Sequence, residues 1–199
     1  QIKYPEVLTG SHEEIRAGMV RGLAGSILNE RMAVVARQAD APFLGAGTGM
    51  SRMTPSVMSI AFGAAVVDGG AATGIEAMVR EIRRAQQHGF TEAELARAVA
   101  MRVASMEASL KEADNISSTS KANELVRVFT TGESVSGIVY ETALIKRLGD
   151  AITVEEVNEY AQTWSTDLGR SLSVMMPEKD GVVPPVADDL VALIDRVMS

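Results

Sequence analysis

The stretch from Leu28 to Met58 limits the possible folds more than any other part of the chain. It reads LNERMAVVARQ, then ADAPF, then LGAGTGMSRMTPSVM. Upstream of it, Ile15, Met19, Leu23, Ile27, Leu28, Met32 and Val35 follow helical spacing and predict one long helix reaching about Ala39. Asp40-Ala41-Pro42 stops that helix, because a residue before proline is pushed out of the α region. Phe43 to Arg52 then reads as extended, and Thr54-Pro55 reverses the chain. On the return, Met58, Ile60, Phe62, Ala64 and Val66 fall on one face of a strand. Val57, Ser59, Ala61, Gly63 and Ala65 fall on the other. Both strands carry small residues on one face, which lets a helix or another backbone come close.

Around this seam the other elements fall into order. Gln1 to Leu8 predicts a first strand, ended by Thr9-Gly10, and Ser11 with Glu14 forms a capping box at the start of the long helix. After Gly69-Gly70 the chain becomes helical. Ile75 to Ala85 gives one helix, closed at His88-Gly89. Thr91 and Glu94 open a second with another capping box, running to about Ala113. A polar break from Asp114 through Ile116 to Ser118 separates it from a helix through Phe129, which Thr131-Gly132 ends. The next helix spans Ile138 to Leu148 with Gly149 as its stop, and Thr153 with Glu156 caps another that reaches Trp164. Ser171 to Met176 alternates as a closing strand. Pro184-Pro185 with Asp188 and Asp189 starts a final helix. The fold class is therefore α+β: a βαββ start, a helical run, then a closing strand and helix, with helices mainly on one face of the sheet. No long linker interrupts it, so residues 1–199 read as one domain.

Composition removes several function classes. With 26 acidic against 19 basic residues the net charge is -7, so the basic footprint of a nucleic-acid binder is missing. No apolar run approaches the roughly 20 residues of a membrane-spanning helix. Cysteine is absent, which excludes disulfides and thiolate metal sites. The sequence begins with Gln and shows no basic-then-apolar leader, so it reads as a processed piece of a longer protein.

Simple catalytic motifs are missing as well. Gly45, Gly47 and Gly49 suggest a phosphate loop, but Met50 stands where a third glycine should open a helix, and no Gly-Lys-Ser/Thr follows. The three glycines, with Pro42, are assigned a structural role. His12 and His88 are isolated, with no second ligand at helical spacing, and read as surface residues at helix ends. No Gly-x-Ser-x-Gly elbow occurs. Glu30 with Arg31, and Arg37 with Asp40, read as exposed pairs on a helix surface. No residue is assigned a catalytic or metal-binding role.

Taken together, ILNERMAVVARQADAPFLGAG, EIRRAQQHGFTEAELARAVA and AITVEEVNEYAQTW resemble the M16 family of zinc metallopeptidases, the pitrilysin, insulinase and processing-peptidase relatives. HGFTEAEL, from His88 to Leu95, is the most specific segment; ADAPF and VMMPEKDGVVPP add to it, and the likeness extends from Ile2 to Val197. The family binds zinc through an inverted HxxEH motif and a downstream Glu, and uses the metal-bound water to attack a peptide carbonyl with a glutamate as base. This sequence has no HxxEH. The resemblance thus implies a non-catalytic domain, fitting best the second domain of a long bacterial member. It would pack against the catalytic domain of the same chain and help wall a chamber for peptide substrates, with Zn2+ held by that other domain. The family's Arg and Tyr substrate contact, R-x-x-x-G-L-A-Y, has its nearest counterpart in Arg37 to Phe43. That counterpart is a residue short, and Phe43 replaces the tyrosine.

Two other readings remain open: a partner-binding or core-subunit-like module with no protease in the parent, and a small-molecule-binding α+β domain using the Gly45–Gly49 strand. A periplasmic and a cytoplasmic location in a bacterium both fit. An isolated chain would expose the apolar face that met its neighbour, and self-association is expected.

Overall fold

A computed structural model describes residues 1–5, 11–54, 57–115, 117–131, 137–164 and 170–199. Its elements are β1 (Ile2–Pro5), α1 (His12–Ala36), β2 (Gly45–Thr54), β3 (Val57–Ala65), α2 (Ala71–His88) and α3 (Glu92–Lys111). A 3-10 turn (Ala113–Asn115) leads to α4 (Ser118–Thr131), α5 (Ile138–Ala151), α6 (Val154–Gln162) and α7 (Ala187–Met198). Among the residues expected to shape strand or helix ends, 6–10, Pro55, Ile116 and Gly132 lie outside the described residues.

The three strands form one antiparallel sheet in the order β1-β3-β2. Alternation along β3 decides which face is covered. Ile60 is buried and Phe62, Ala64 and Val66 pack against the core, whereas Ala61, Gly63 and Ala65 are exposed. Register places Gly45 opposite Ala65, Gly47 opposite Gly63 and Gly49 opposite Ala61. Cross-strand partners share a face, so the uncovered side carries a glycine and alanine patch, followed along the strands by Ser51, Ser59 and Lys3. The helices pack on the other side, as the α+β reading requires.

Helix α1 is the centre of the packing. Its inner face buries Met19, Val20, Leu23, Ala24, Ile27, Leu28 and Met32, and it touches β2, α2, α3, α5 and α6. Ser11 caps its start, the hydroxyl accepting from the Glu14 amide at 3.2 Å. The capping boxes at Thr91–Glu94 and Thr153–Glu156 form with both reciprocal hydrogen bonds. Four of the chain's eight aromatic side chains gather where these helices meet the sheet. Phe62, Phe90 and Tyr160 pack edge-on around Trp164 at centroid distances of 5.5, 6.2 and 5.9 Å.

Three expectations are corrected. Ser171 to Met176 forms no strand: the backbone of Ser171 exchanges two hydrogen bonds of 3.0 Å with Gln1, and no ladder continues beyond that residue. The alternating pattern is present, but it meets the sheet only at Gln1, the residue before the four-residue strand β1. Gly149 does not end α5, which runs on to Ala151. It lies inside the helix because a Cβ there would come within 2.7 Å of Val99 Cγ1 on α3. It is a contact glycine, not a cap. The prolines at 184 and 185 stand just before α7 and not in its first turn, with Val186 as N-cap and Asp188 and Asp189 inside.

Candidate functional site

The seam between α1 and β2 is where the expected site residues lie, and the structure separates them. Phe43 belongs to the core, 2% exposed. Its ring therefore offers no surface to a peptide. Arg37, one residue past α1, is two-thirds exposed and reaches Glu30 Oε1 at 3.5 Å, not Asp40. Such a pair is weak. Pro42 is half-buried in the turn, and its carbonyl oxygen lies 3.5 Å from where a Cβ on Gly74 would stand.

The glycines of β2 are not equivalent. None of them has a positive φ. A Cβ on Gly45 or Gly49 would meet no atom within 4 Å, so close approach does not explain them. A Cβ on Gly47 would sit 3.2 Å from the Asn29 Oδ1. That contact has a function. Asn29 Oδ1 accepts from the Thr48 amide at 2.6 Å, and Asn29 Nδ2 donates to the Thr48 carbonyl at 3.2 Å. The side-chain amide thus takes the place of one residue of a fourth strand and blunts an open sheet edge. Asn158 repeats the device, its Oδ1 accepting from the Phe90 amide at 2.6 Å beside Gly89, whose φ is +69°.

Arg31 is not the exposed partner of Glu30 that its sequence position suggests. It leaves α1 on the inner side and forms a bidentate pair with Glu94, at 2.7 and 2.9 Å, while also donating to the Gly89 carbonyl at 2.9 Å. Its guanidinium lies 4.8 Å from the centre of the Phe90 ring. Both side chains are over four-fifths buried. At the other end of α1, Arg16 makes a second bidentate pair with Glu156, both bonds 2.8 Å, and donates to the Ala151 carbonyl. Each glutamate is the reciprocal member of a capping box, so α1 is fixed near both ends to the first turns of α3 and α6. Hydrogen bonds from Arg31 hold the Glu94 carboxyl down at about 2, overcoming burial, with Thr91 adding to the effect. Arg16 lowers Glu156 in the same way. These are paired, spent charges. They hold helices together, and neither glutamate is free to act as an acid or base.

Nothing else among the described residues assembles a reactive centre. No group of three or more His, Cys, Asp or Glu is placed to hold a metal. His12, at the start of α1, has its Nε2 3.2 Å from the Tyr140 hydroxyl, and His88 is exposed at the end of α2. Among the described residues no helix is long and apolar enough to cross a membrane.

No family model matches the chain. Over 102 residues it is 30% identical to a zinc protease PQQL-like protein of Arabidopsis thaliana, a match covering 51% of this chain and 11% of that one. The fold of nearly the entire chain recurs in the periplasmic protease PqqL of Escherichia coli, at a TM-score of 0.82 and 15% identity over 99% of this chain and 22% of that one. The chain has an M16-like peptidase fold. The M16-like domain also superposes on the first half of PqqL (TM-score 0.79, 15% identity, 99% of this chain, 42% of that half). A predicted insulinase family protease from Yersinia pestis gives the same TM-score of 0.79, at 12% identity over 99% of this chain and 42% of that one. The domain spans only about a tenth to two-fifths of these relatives' length.

Asn29, Asn158 and Arg16 carry no mark in the sequence, and Arg31 reads there only as an exposed neighbour of Glu30. The glutamates were, through their capping boxes, and an Arg on an adjoining helix is the only signal that could have pointed further.

Proposed function

We propose that this M16-like domain is a non-catalytic part of a larger zinc-dependent peptidase, packing against a catalytic domain and helping to wall the space where peptides are cleaved. Proportion carries the reading: a fold matched over 99% of this chain makes up 22% of a protease chain, and the 199 residues contain no HxxEH. The donors present do not suit zinc, since the two histidines stand at the start of α1 and the end of α2 and, among the described residues, neither belongs to a group of three or more side chains placed to hold a metal. No step of peptide hydrolysis is therefore assigned to its residues. What the chain supplies is a rigid body, with α1 anchored at two points and one sheet face left open.

Metal analysis after a chelator wash, with a fluorogenic peptide assay on the same sample, tests this. The expected result is substoichiometric zinc and no cleavage. One zinc per chain that survives the wash overturns the assignment.

A further inference from the structure

Helix α4 stands apart from the packed body. It has 14 residues, about 21 Å at 1.5 Å per residue. Ala122, Leu125, Val126 and Phe129 fall at i, i+3, i+4 and i+7, one apolar stripe. That spacing normally marks the face a helix turns to a core. Here the stripe faces outward: Leu125 is 63% exposed, Val126 60% and Phe129 90%. Every other α-helix buries at least two side chains. Among the α4 side chains that are described none is buried, and α4 forms no substantial interface with another element.

A helix of this length is marginal in water without packing. Its composition makes matters worse, because Ser118, Thr119, Asn123, Val126, Val128, Phe129, Thr130 and Thr131 are all weak helix formers. Local propensity does not account for α4, and contacts inside the described structure do not either. The stripe is a surface whose other side is missing.

We propose that the Leu125–Val126–Phe129 stripe docks in an apolar groove on the neighbouring domain of the same, longer polypeptide. The inference rests on reading this chain as one domain of a larger protease. The fold fills 42% of the first half of PqqL, so such a half contains more chain than this unit needs, and the cover for α4 comes from there. A second copy of this chain suits the stripe less well, because two bodies of net charge -7 repel. Docking of this kind follows the helix-in-groove mode, with anchors at i and i+4.

Hydrogen exchange on the full-length protein and on this chain alone tests the assignment. The α4 amides should exchange on the order of a hundredfold more slowly in the full-length protein, as expected when a fraying helix joins a cooperative unit. Leu125→Ser with Phe129→Ser should restore fast exchange there. In this chain alone the same variant should leave the melting temperature unchanged, since neither side chain is buried. If α4 stays fast while another surface becomes protected, the docking face is wrong and the domain reading stands. If no surface becomes protected, the domain reading itself fails. Protection of α4 in this chain alone that grows with concentration would assign the stripe to a second copy and overturn the proposal.

Discussion

Replacing Arg31 with methionine keeps the stem that packs beside Phe90 and removes the charge that Glu94 depends on. In the folded chain the Glu94 carboxyl is lowered from 4.5 to about 2, which corresponds to about 3 kcal/mol of stability at neutral pH. Thr91 contributes part of that, and the cation over the Phe90 ring adds roughly 0.5–1 kcal/mol. Arg31→Met should therefore cost about 2–3 kcal/mol at pH 7, a fall in melting temperature of roughly 5–10 °C for a chain of this size. The pH dependence gives the sharper test. Because the folded carboxyl binds its proton only near pH 2 and the unfolded one near 4.5, the wild type keeps the full contribution above about pH 5. It loses about 2 kcal/mol of it by pH 3. The gap between wild type and variant should close by a similar amount over that range. Trp164, the one tryptophan and 3% exposed, reports unfolding in urea through its fluorescence. A gap that stays constant from pH 7 to pH 3, or one below about 0.5 kcal/mol at pH 7, would refute the reasoning.

Two further substitutions separate glycines that look alike in the sequence. Gly47→Ala pushes a methyl against Asn29 Oδ1 and should cost about 1 kcal/mol through the loosened Thr48 hydrogen bonds, whereas Gly49→Ala meets nothing and should be neutral or stabilise by up to about 1 kcal/mol; urea titration of both decides it, and equal effects would count against the Asn29 bracket. Gly149→Ala should destabilise by about 1–2 kcal/mol, overpacking against Val99 outweighing the better helix propensity of alanine. In a Val99→Ala background the cost should vanish, and a double-mutant cycle with no coupling would contradict the contact.

The parts of this fold that could be read in the sequence are those governed by neighbours. Thr91 and Glu94 lie three residues apart and satisfy each other whatever surrounds them, and β3 alternates because one face is buried. Gly89 at the end of α2 is legible for the same reason, its φ of +69° being a local demand. Gly149 looked equivalent and is not, because its cause is Val99, on a different helix. Arg31 finds Glu94 across 63 positions and Arg16 finds Glu156 across 140. No local pattern encodes such meetings, so an arginine that anchors two helices reads as an exposed i,i+1 neighbour of Glu30. Ser171 to Met176 shows the converse: alternation permits a strand, but a strand also needs an edge to pair with, and among the described residues it pairs with Gln1 alone.

The glycine and alanine patch on the open side of β2 and β3 has a consequence for contact. That face offers a neighbouring chain almost nothing to grip. Gly49, Ala61, Gly63 and Ala65 give little apolar contact, and the nearest charge that the register places on this face is Lys3, opposite Ser59.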